Sequence, residues 1–225
     1  MQSTAAEARL VEHLVGILRN PEGERAHPPR ILNVGAGRNP SIEQQLAAAE
    51  CRFVCDRADV EPCEIDHPSV DRCFRCAAED MSPIPSETYA AAFANFVLEH
   101  VPDIDRAAHE IHRILKPSCR FVTSVSNPSS PVALVTRHTP LWLHRVIRGD
   151  EAWETHFAYG SVDELVETFE SAGLSRVEVT FHSGIESYLP QPLLKQLARG
   201  YDRTATALGI RSLMNLACLV FEKIH

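Results

Sequence analysis

The stretch that decides the fold is RILNVGAGRNPS, Arg30 to Ser41. A short apolar run, Ile31 to Val34, meets Gly35; one residue intervenes, and Gly37 follows. The run reads as a buried strand. Two glycines so close together imply a tight bend or a neighbour that approaches the bare backbone. A helix is expected over 42–50, with Ser41 and Gln44 at capping-box spacing and Pro40 ahead of them. Strand, glycine turn and helix form the unit at which ligands meet the carboxyl edge of a doubly wound sheet.

The pattern repeats downstream. CRFVCD is a second strand ending at Asp56. The segment 57–71 reads as an irregular connection, and DRCFRCAAED as a third strand ending before Glu79 and Asp80. Tyr89 to Asn95 is a fourth strand. Ile104, Ala107, Ala108, Ile111, Ile114 and Leu115 keep helical spacing until Pro117. CRFVTSVSNP is a fifth strand; SVDELVETFESAGL is a helix with Ser161 as cap; SRVEVTFH, a helix through PLLKQLARGYDRTATAL, and SLMNLACLVFEKI follow. Alternating strands and helices predict a parallel sheet covered on both faces, with right-handed crossovers. We expect one domain over 1–225: an N-terminal helix and linker (1–29), a ligand-binding core (30–127), a lid-like insertion (128–160) and a helix-strand-helix-strand finish (161–225).

The chain of 225 residues is 44% hydrophobic and 23% charged, ordinary for a globular protein. A net charge of -8 disfavours a broad nucleic-acid or anionic-membrane surface. Glu7, Arg9 and Glu12 inside the N-terminal apolar pattern make that segment an amphipathic helix and not a signal peptide. No apolar run reaches the roughly 18 residues of a membrane span. Seven cysteines and no export signal suggest reduced thiols and a cytoplasmic location. Cys73 and Cys76 form a C-x2-C, but the strand map puts Cys51 and Cys76 at opposite edges of the sheet. Buried thiols are the better reading than zinc, and no metal is expected.

Two nucleotide ligands compete for the glycine turn. The dinucleotide fingerprint G-x-G-x-x-G has Pro40 at its third glycine, which argues against NAD(P) and a reductase. No Gly-Lys-Ser/Thr follows, so the Walker pattern fails. An adenosyl sulfonium is the alternative. Asp56, some twenty residues past the turn, is placed to accept both hydrogen bonds from a ribose diol. Glu79 and Asp80, after the third strand, are placed to accept from an adenine amine.

The ordered blocks ILNVGAG, FVCD, CAAEDMSPIP, YAAAFANFVLEHVPD, EIHRILKP and RFVTSVSNP resemble the class I S-adenosylmethionine-dependent methyltransferases, most closely the small-molecule methyltransferase type 11 group. The resemblance covers Arg30 to about Asn127 and extends more loosely to the end. It implies an α/β, Rossmann-like, doubly wound seven-stranded sheet, mostly parallel with the last strand antiparallel, and S-adenosyl-L-methionine as cofactor. It implies that Gly35, Ala36 and Gly37 pass the methionine part and that Asp56 is the ribose acid. Asp80 and Met81 match the adenine-binding pair, and Asn95 lies near the transferable methyl. Asn33 stands where the family often has an acid; it can hydrogen-bond but carries no charge.

Methyl transfer from a sulfonium is an in-line displacement, dominated by positioning. A hydroxyl acceptor also benefits from a base, for which histidine is suited near neutral pH. Of eleven histidines, His100 just beyond the fourth strand and His156 on the insertion, with Tyr159 nearby, are the candidates. His109 and His112 read as solvated on the outer helix. The motif of exocyclic-amine methylation is absent after the fourth strand, where NFVLEH stands. The expectation is a methyltransferase acting on a small molecule, an oxygen acceptor first, with a non-catalytic cofactor-binding or interaction module of the same fold as the alternative.

Overall fold

A computed structural model describes residues 3–19, 27–62, 67–137, 158–188 and 192–224. Seven strands form one sheet in the order β3-β2-β1-β4-β5-β7-β6. They are β1 (Arg30–Val34), β2 (Val54–Asp59), β3 (Val70–Arg75), β4 (Tyr89–Asn95), β5 (Leu115–Ser126), β6 (Leu174–His182) and β7 (Leu216–Lys223). Strands β1 to β5 pair in parallel, and β7 runs antiparallel to both β5 and β6. The expected seven-stranded, mostly parallel sheet with an antiparallel last strand is the observed one.

The sheet buries both faces, as parallel sheets do. Successive side chains alternate between the two. Helices α1 (Ala5–Arg19) and α2 (Ser41–Ala48) cover one face, setting Leu10, Leu14, Leu18, Ile42 and Leu46 against Ile31, Phe93, Val122 and Val220. The first three leucines recur every four residues, one stripe of a helix. Each fully buried leucine contributes about 1.5–3 kcal/mol. Helices α3 (Ile104–Ile114) and α5 (Val162–Ser171) cover the other face, over Leu32, Ala92, Phe121 and Phe221. There Phe169 stacks between Phe121 and Phe221, with ring centroids 5.4 and 4.8 Å away. A short α4 (Pro131–Arg137) follows β5, and α6 (Pro192–Leu208) precedes β7.

Several boundaries differ from the sequence expectation, each for a physical reason. Helix α2 is capped by Pro40, not by a Ser41/Gln44 box: the Gln44 amide donates to the Pro40 carbonyl. Helix α3 ends at Ile114, before Pro117, because Leu115 turns extended and pairs with Tyr89 at the start of β5. Asp103 caps α3 and Ser161 caps α5 through their side chains. Most consequential, β2 does not end at Asp56 but runs on to Asp59. His112 is half-buried and its ring lies over Gly173, so it is not simply solvated.

Cys73 is disulfide-bonded, contrary to the expectation of thiols throughout. Cys51, Cys55, Cys76, Cys119 and Cys218 are thiols, not disulfides. Among the described residues no cluster of His, Cys, Asp or Glu is placed to hold a metal ion. No helix among them is long and apolar enough to cross a membrane.

Candidate active site

The chain reverses its direction of travel across the sheet between β1 and β4, so the crevice at their carboxyl ends is the switch point at which such sheets bind ligands. The glycine turn leaves β1 there. The amides of Gly35 and Ala36 both donate to the Ala58 carbonyl, at 2.8 and 3.2 Å, which folds the turn toward β2. Gly35 and Gly37 have φ of +65° and +56°, where a side chain is strained. What approaches each differs. A Cβ at Gly35 would lie 2.4 Å from Val97 Cγ1, so the chain leaving β4 presses on this glycine. A Cβ at Gly37 would meet nothing within 4 Å. The first glycine admits a neighbour from β4, and the second faces open space.

Asp59, the last residue of β2, closes the crevice on the other side. Its Oδ2 accepts the Gly37 amide at 2.7 Å, and its Oδ1 accepts the Glu61 amide at 2.8 Å. Cys76, just past β3, donates its amide to the Asp59 carbonyl at 3.0 Å. Burial first, and then the charges of Asp80, Glu110 and Asp59, push the Cys76 thiol up to about 11. The two carboxylates Asp59 and Asp80 thus act on one thiol at one edge.

Asp56 is not at that edge. Register places it opposite Leu32, mid-strand, and it is fully buried. Its oxygens accept from Arg30 Nη1 at 2.6 Å and from the Tyr89 hydroxyl at 2.9 Å. Arg30 and Tyr89 are the first residues of β1 and β4, so this carboxylate points away from the ligand edge. The expectation that Asp56 meets a ribose is corrected on this ground. Asp59, three residues on, has the position that the argument required.

Beneath the turn lies a second buried network. Asn33 Nδ2 donates to Glu43 Oε1 at 2.8 Å, and Arg57 Nε lies 3.3 Å from the same oxygen. Arg57 Nη2 donates to the carbonyls of Ala36 at 2.8 Å and Asn39 at 3.4 Å. The carboxylate lacking at Asn33 is therefore supplied by α2 and balanced by a guanidinium that also ties the turn from below.

The remaining candidates divide. Glu79 is half-buried and Asp80 exposed, in the turn after β3. Met81 is wholly buried in the core under that turn, with its amide donating to Glu110 Oε2 at 2.7 Å. Asn95, half-buried, accepts a short hydrogen bond from the Ser124 hydroxyl. His100 is half-buried on the 3-10 turn Leu98–His100. Tyr159 is 2% exposed, its hydroxyl 3.3 Å from the Ser126 carbonyl, and burial and then Glu99 push the phenol well above its ordinary value. Such a phenol holds its proton and does not act as a base near neutral pH. His156 lies outside the described residues.

Sequence reading passed over Glu99, the neighbour of His100. It is 3% exposed; Oε1 accepts from the Ser126 hydroxyl at 2.9 Å, and Oε2 is buried without a partner. Burial raises its carboxyl above the ordinary value, against the lowering effects of backbone hydrogen bonding, His100 and Ser126. The available signal was its place in LEH, directly after the fourth strand. Two surface clefts, of about 410 and 400 Å³, open instead at the amino edge, one beside His112 and Lys223, the other beside Arg30 and Val70. Neither adjoins the glycine turn.

A family model described as a methyltransferase domain matches residues 7–179. The chain belongs to that family, and its fold is that of the class I S-adenosylmethionine-dependent methyltransferases. No curated protein sequence matches it. Among solved structures it is similar to a candidate sarcosine dimethylglycine methyltransferase from Galdieria sulphuraria, with TM-score 0.60 and 13% identity, over 96% of this chain and 84% of that one. It is also similar to geranyl diphosphate C-methyltransferase from Streptomyces coelicolor A3(2), with TM-score 0.56 and 17% identity, over 97% and 79%. A third is the [4+2]-cyclase SpnF, with TM-score 0.59 and 17% identity, over 100% and 84%. Likeness at this identity establishes the fold, and the cyclase among the neighbours means that the fold alone does not fix the reaction.

Proposed function

We propose that the chain is an S-adenosylmethionine-dependent methyltransferase acting on a small molecule, with an oxygen acceptor. The observation that carries this reading is the Gly37–Asp59 pair: an open-faced glycine at the end of β1 bonded to the last carboxylate of β2. The residues fit an adenosyl group. Asp59 is half-buried, and its carboxylate is placed to exchange the Gly37 amide for a ribose diol. Asp80, on the neighbouring turn, is placed for an exocyclic amine, with Glu79 beside it. Gly37 leaves room for the amino-acid tail. A pyrophosphate fits less well, because Pro40 stands at the third glycine and caps α2.

When bound, the cofactor supplies an electrophilic methyl group whose departure leaves a neutral thioether, so no acid is needed. The chain's own task is positioning, which contributes on the order of 7–11 kcal/mol in well-oriented reactions. Asn95, held by Ser124, and the turn bearing His100 form the acceptor-side wall at the ends of β4 and β5. His100 is the proton acceptor we assign for a hydroxyl substrate. Asn33, uncharged where the family often has an acid, favours a second reading: a cofactor-binding module without turnover.

Calorimetry with S-adenosylmethionine, S-adenosylhomocysteine and NADH separates these readings. The first two should bind, NADH should not, and Asp59→Ala should weaken the binding that Asp56→Asn leaves intact. Mass spectrometry after incubation with hydroxyl and carboxylate acceptors then separates enzyme from module. Tight NADH binding, or adenosyl binding indifferent to Asp59, would overturn the proposal.

A further inference from the structure

Glu99 plays no part in the function proposed above, yet its surroundings just beyond β4 are unusual for a carboxyl group. Three independent facts define it. Its Oε2 is buried with no partner, while Ser126 holds Oε1 in place. No lysine or arginine among the described residues forms an ion pair with it; the titratable groups acting on it are His100 on its own turn and Tyr159 on the segment before α5. And its turn is fastened to the glycine loop. Phe96, with φ of +55°, swings the chain out of β4 so that Val97 packs on Gly35, and Glu99 follows two residues later. A buried carboxylate without a cation is expensive; a carboxyl held neutral, with one oxygen spare, is the affordable form. Burial thus favours the neutral carboxyl over the opposing pull of His100, Ser126 and backbone hydrogen bonds, and a cation arriving beside it would favour the charged form.

We propose that Glu99 is the counter-ion of a cationic ligand at the ends of β4 and β5, and that it loses its proton when the sulfonium of S-adenosylmethionine binds. This rests on the methyl-donor reading above. It has a directional consequence. S-adenosylhomocysteine has the same ammonium but an uncharged sulfur. Glu99 therefore distinguishes donor from spent product, and it recovers its proton once the sulfonium charge is gone. The preference strengthens as pH rises toward the value at which the free carboxyl ionises, and it is weaker in acid, where the proton competes with the cation.

The test is calorimetry of the wild-type chain at about pH 6, in two buffers of different ionisation enthalpy. Binding of S-adenosylmethionine should release more protons than binding of S-adenosylhomocysteine. Glu99→Gln should erase that difference and reduce the donor-to-product affinity ratio roughly tenfold, one pKa unit's worth of discrimination. Equal proton release for the two ligands, with both bound, overturns the inference and leaves the methyl-donor reading standing. No binding of either overturns that reading, and this inference with it. The proton count uses the unmodified chain, so it decides the matter even if the Gln variant fails to fold.

Discussion

The Gly37 amide and the Asp59 carboxylate face one another across 2.7 Å, the one leaving β1 and the other ending β2. Asp56, on the same strand, is instead closed off by Arg30 and Tyr89. The two acids therefore separate affinity from stability. Asp59→Ala should weaken S-adenosylmethionine binding by roughly 10- to 100-fold, the equivalent of one or two charge-assisted hydrogen bonds, and leave the melting temperature almost unchanged. Asp56→Asn should do the reverse. Titration calorimetry and thermal unfolding on both variants check this together.

The displaced strand end also shows which parts of the fold were legible in the sequence. Tyr89 to Asn95 and the helix ending at Leu208 were readable to the residue, because their apolar spacing and flanking turns are local signals. The end of β2 was not. A charged pair, Asp56-Arg57, normally stops a buried strand, and here it does not, because both charges are paired inside the protein. Their partners, Arg30, Tyr89 and Glu43, lie far away along the chain, where single-sequence periodicity carries no information. Glu99 was hidden for a related reason: an acid in a loop reads as solvated until its burial is known. The glycine turn was legible as a turn, but that Val97 is what crowds Gly35 depends on how β4 exits the sheet.

Gly35 and Gly37 should not respond alike to alanine. At Gly35 the new Cβ combines positive φ with an approach of 2.4 Å to Val97, whose Cγ2 and Cβ are also within 3.0 Å. Positive φ costs roughly 1–2 kcal/mol, and forced repacking another 1–3. Gly35→Ala should therefore lose about 2–5 kcal/mol in urea unfolding, with part restored by Val97→Ala. Gly37→Ala meets no atom and should lose only the backbone cost, about 1–2 kcal/mol. Equal losses at the two positions would contradict the packing of Val97 on the turn.

The Arg30–Asp56–Tyr89 triad predicts strong coupling. Asp56 is fully buried, so removing its charge leaves the Tyr89 hydroxyl without an acceptor and Arg30 with Asp71 alone. Asp56→Ala should cost about 3–5 kcal/mol, a large part of the stability of an ordinary domain. Tyr89→Phe alone should cost about 1–2 kcal/mol, since it deletes one hydrogen bond to a charged acceptor. A double-mutant cycle on Asp56→Asn and Tyr89→Phe should show a coupling of about 1 kcal/mol or more in denaturant unfolding, and additivity would mean that the pair does not interact.

The acid limb of stability should depend on Glu110. Arg113 donates to its Oε1 and Oε2 at 2.7 and 2.8 Å, and the Met81 amide donates to Oε2 at 2.7 Å. Arg113 also donates to the carbonyls of Met81 and Ile84, so the pair clamps the turn bearing Glu79 and Asp80 onto α3. The Arg113 hydrogen bond, opposed by burial, holds the Glu110 carboxyl below its ordinary value of 4.5. A folded-state value that is depressed contributes stability fully present above 4.5 and lost as pH falls through the lowered value. The site is partly solvated, so the contribution is small, about 0.5–1 kcal/mol after screening. Glu110→Gln should lower stability by that amount at neutral pH, and by progressively less in acid as the pH falls through the lowered value and the wild-type carboxyl also loses its charge. Urea unfolding at neutral and acid pH checks the sign, and a variant whose deficit grows in acid would show that Glu110 is not held in its charged form by Arg113.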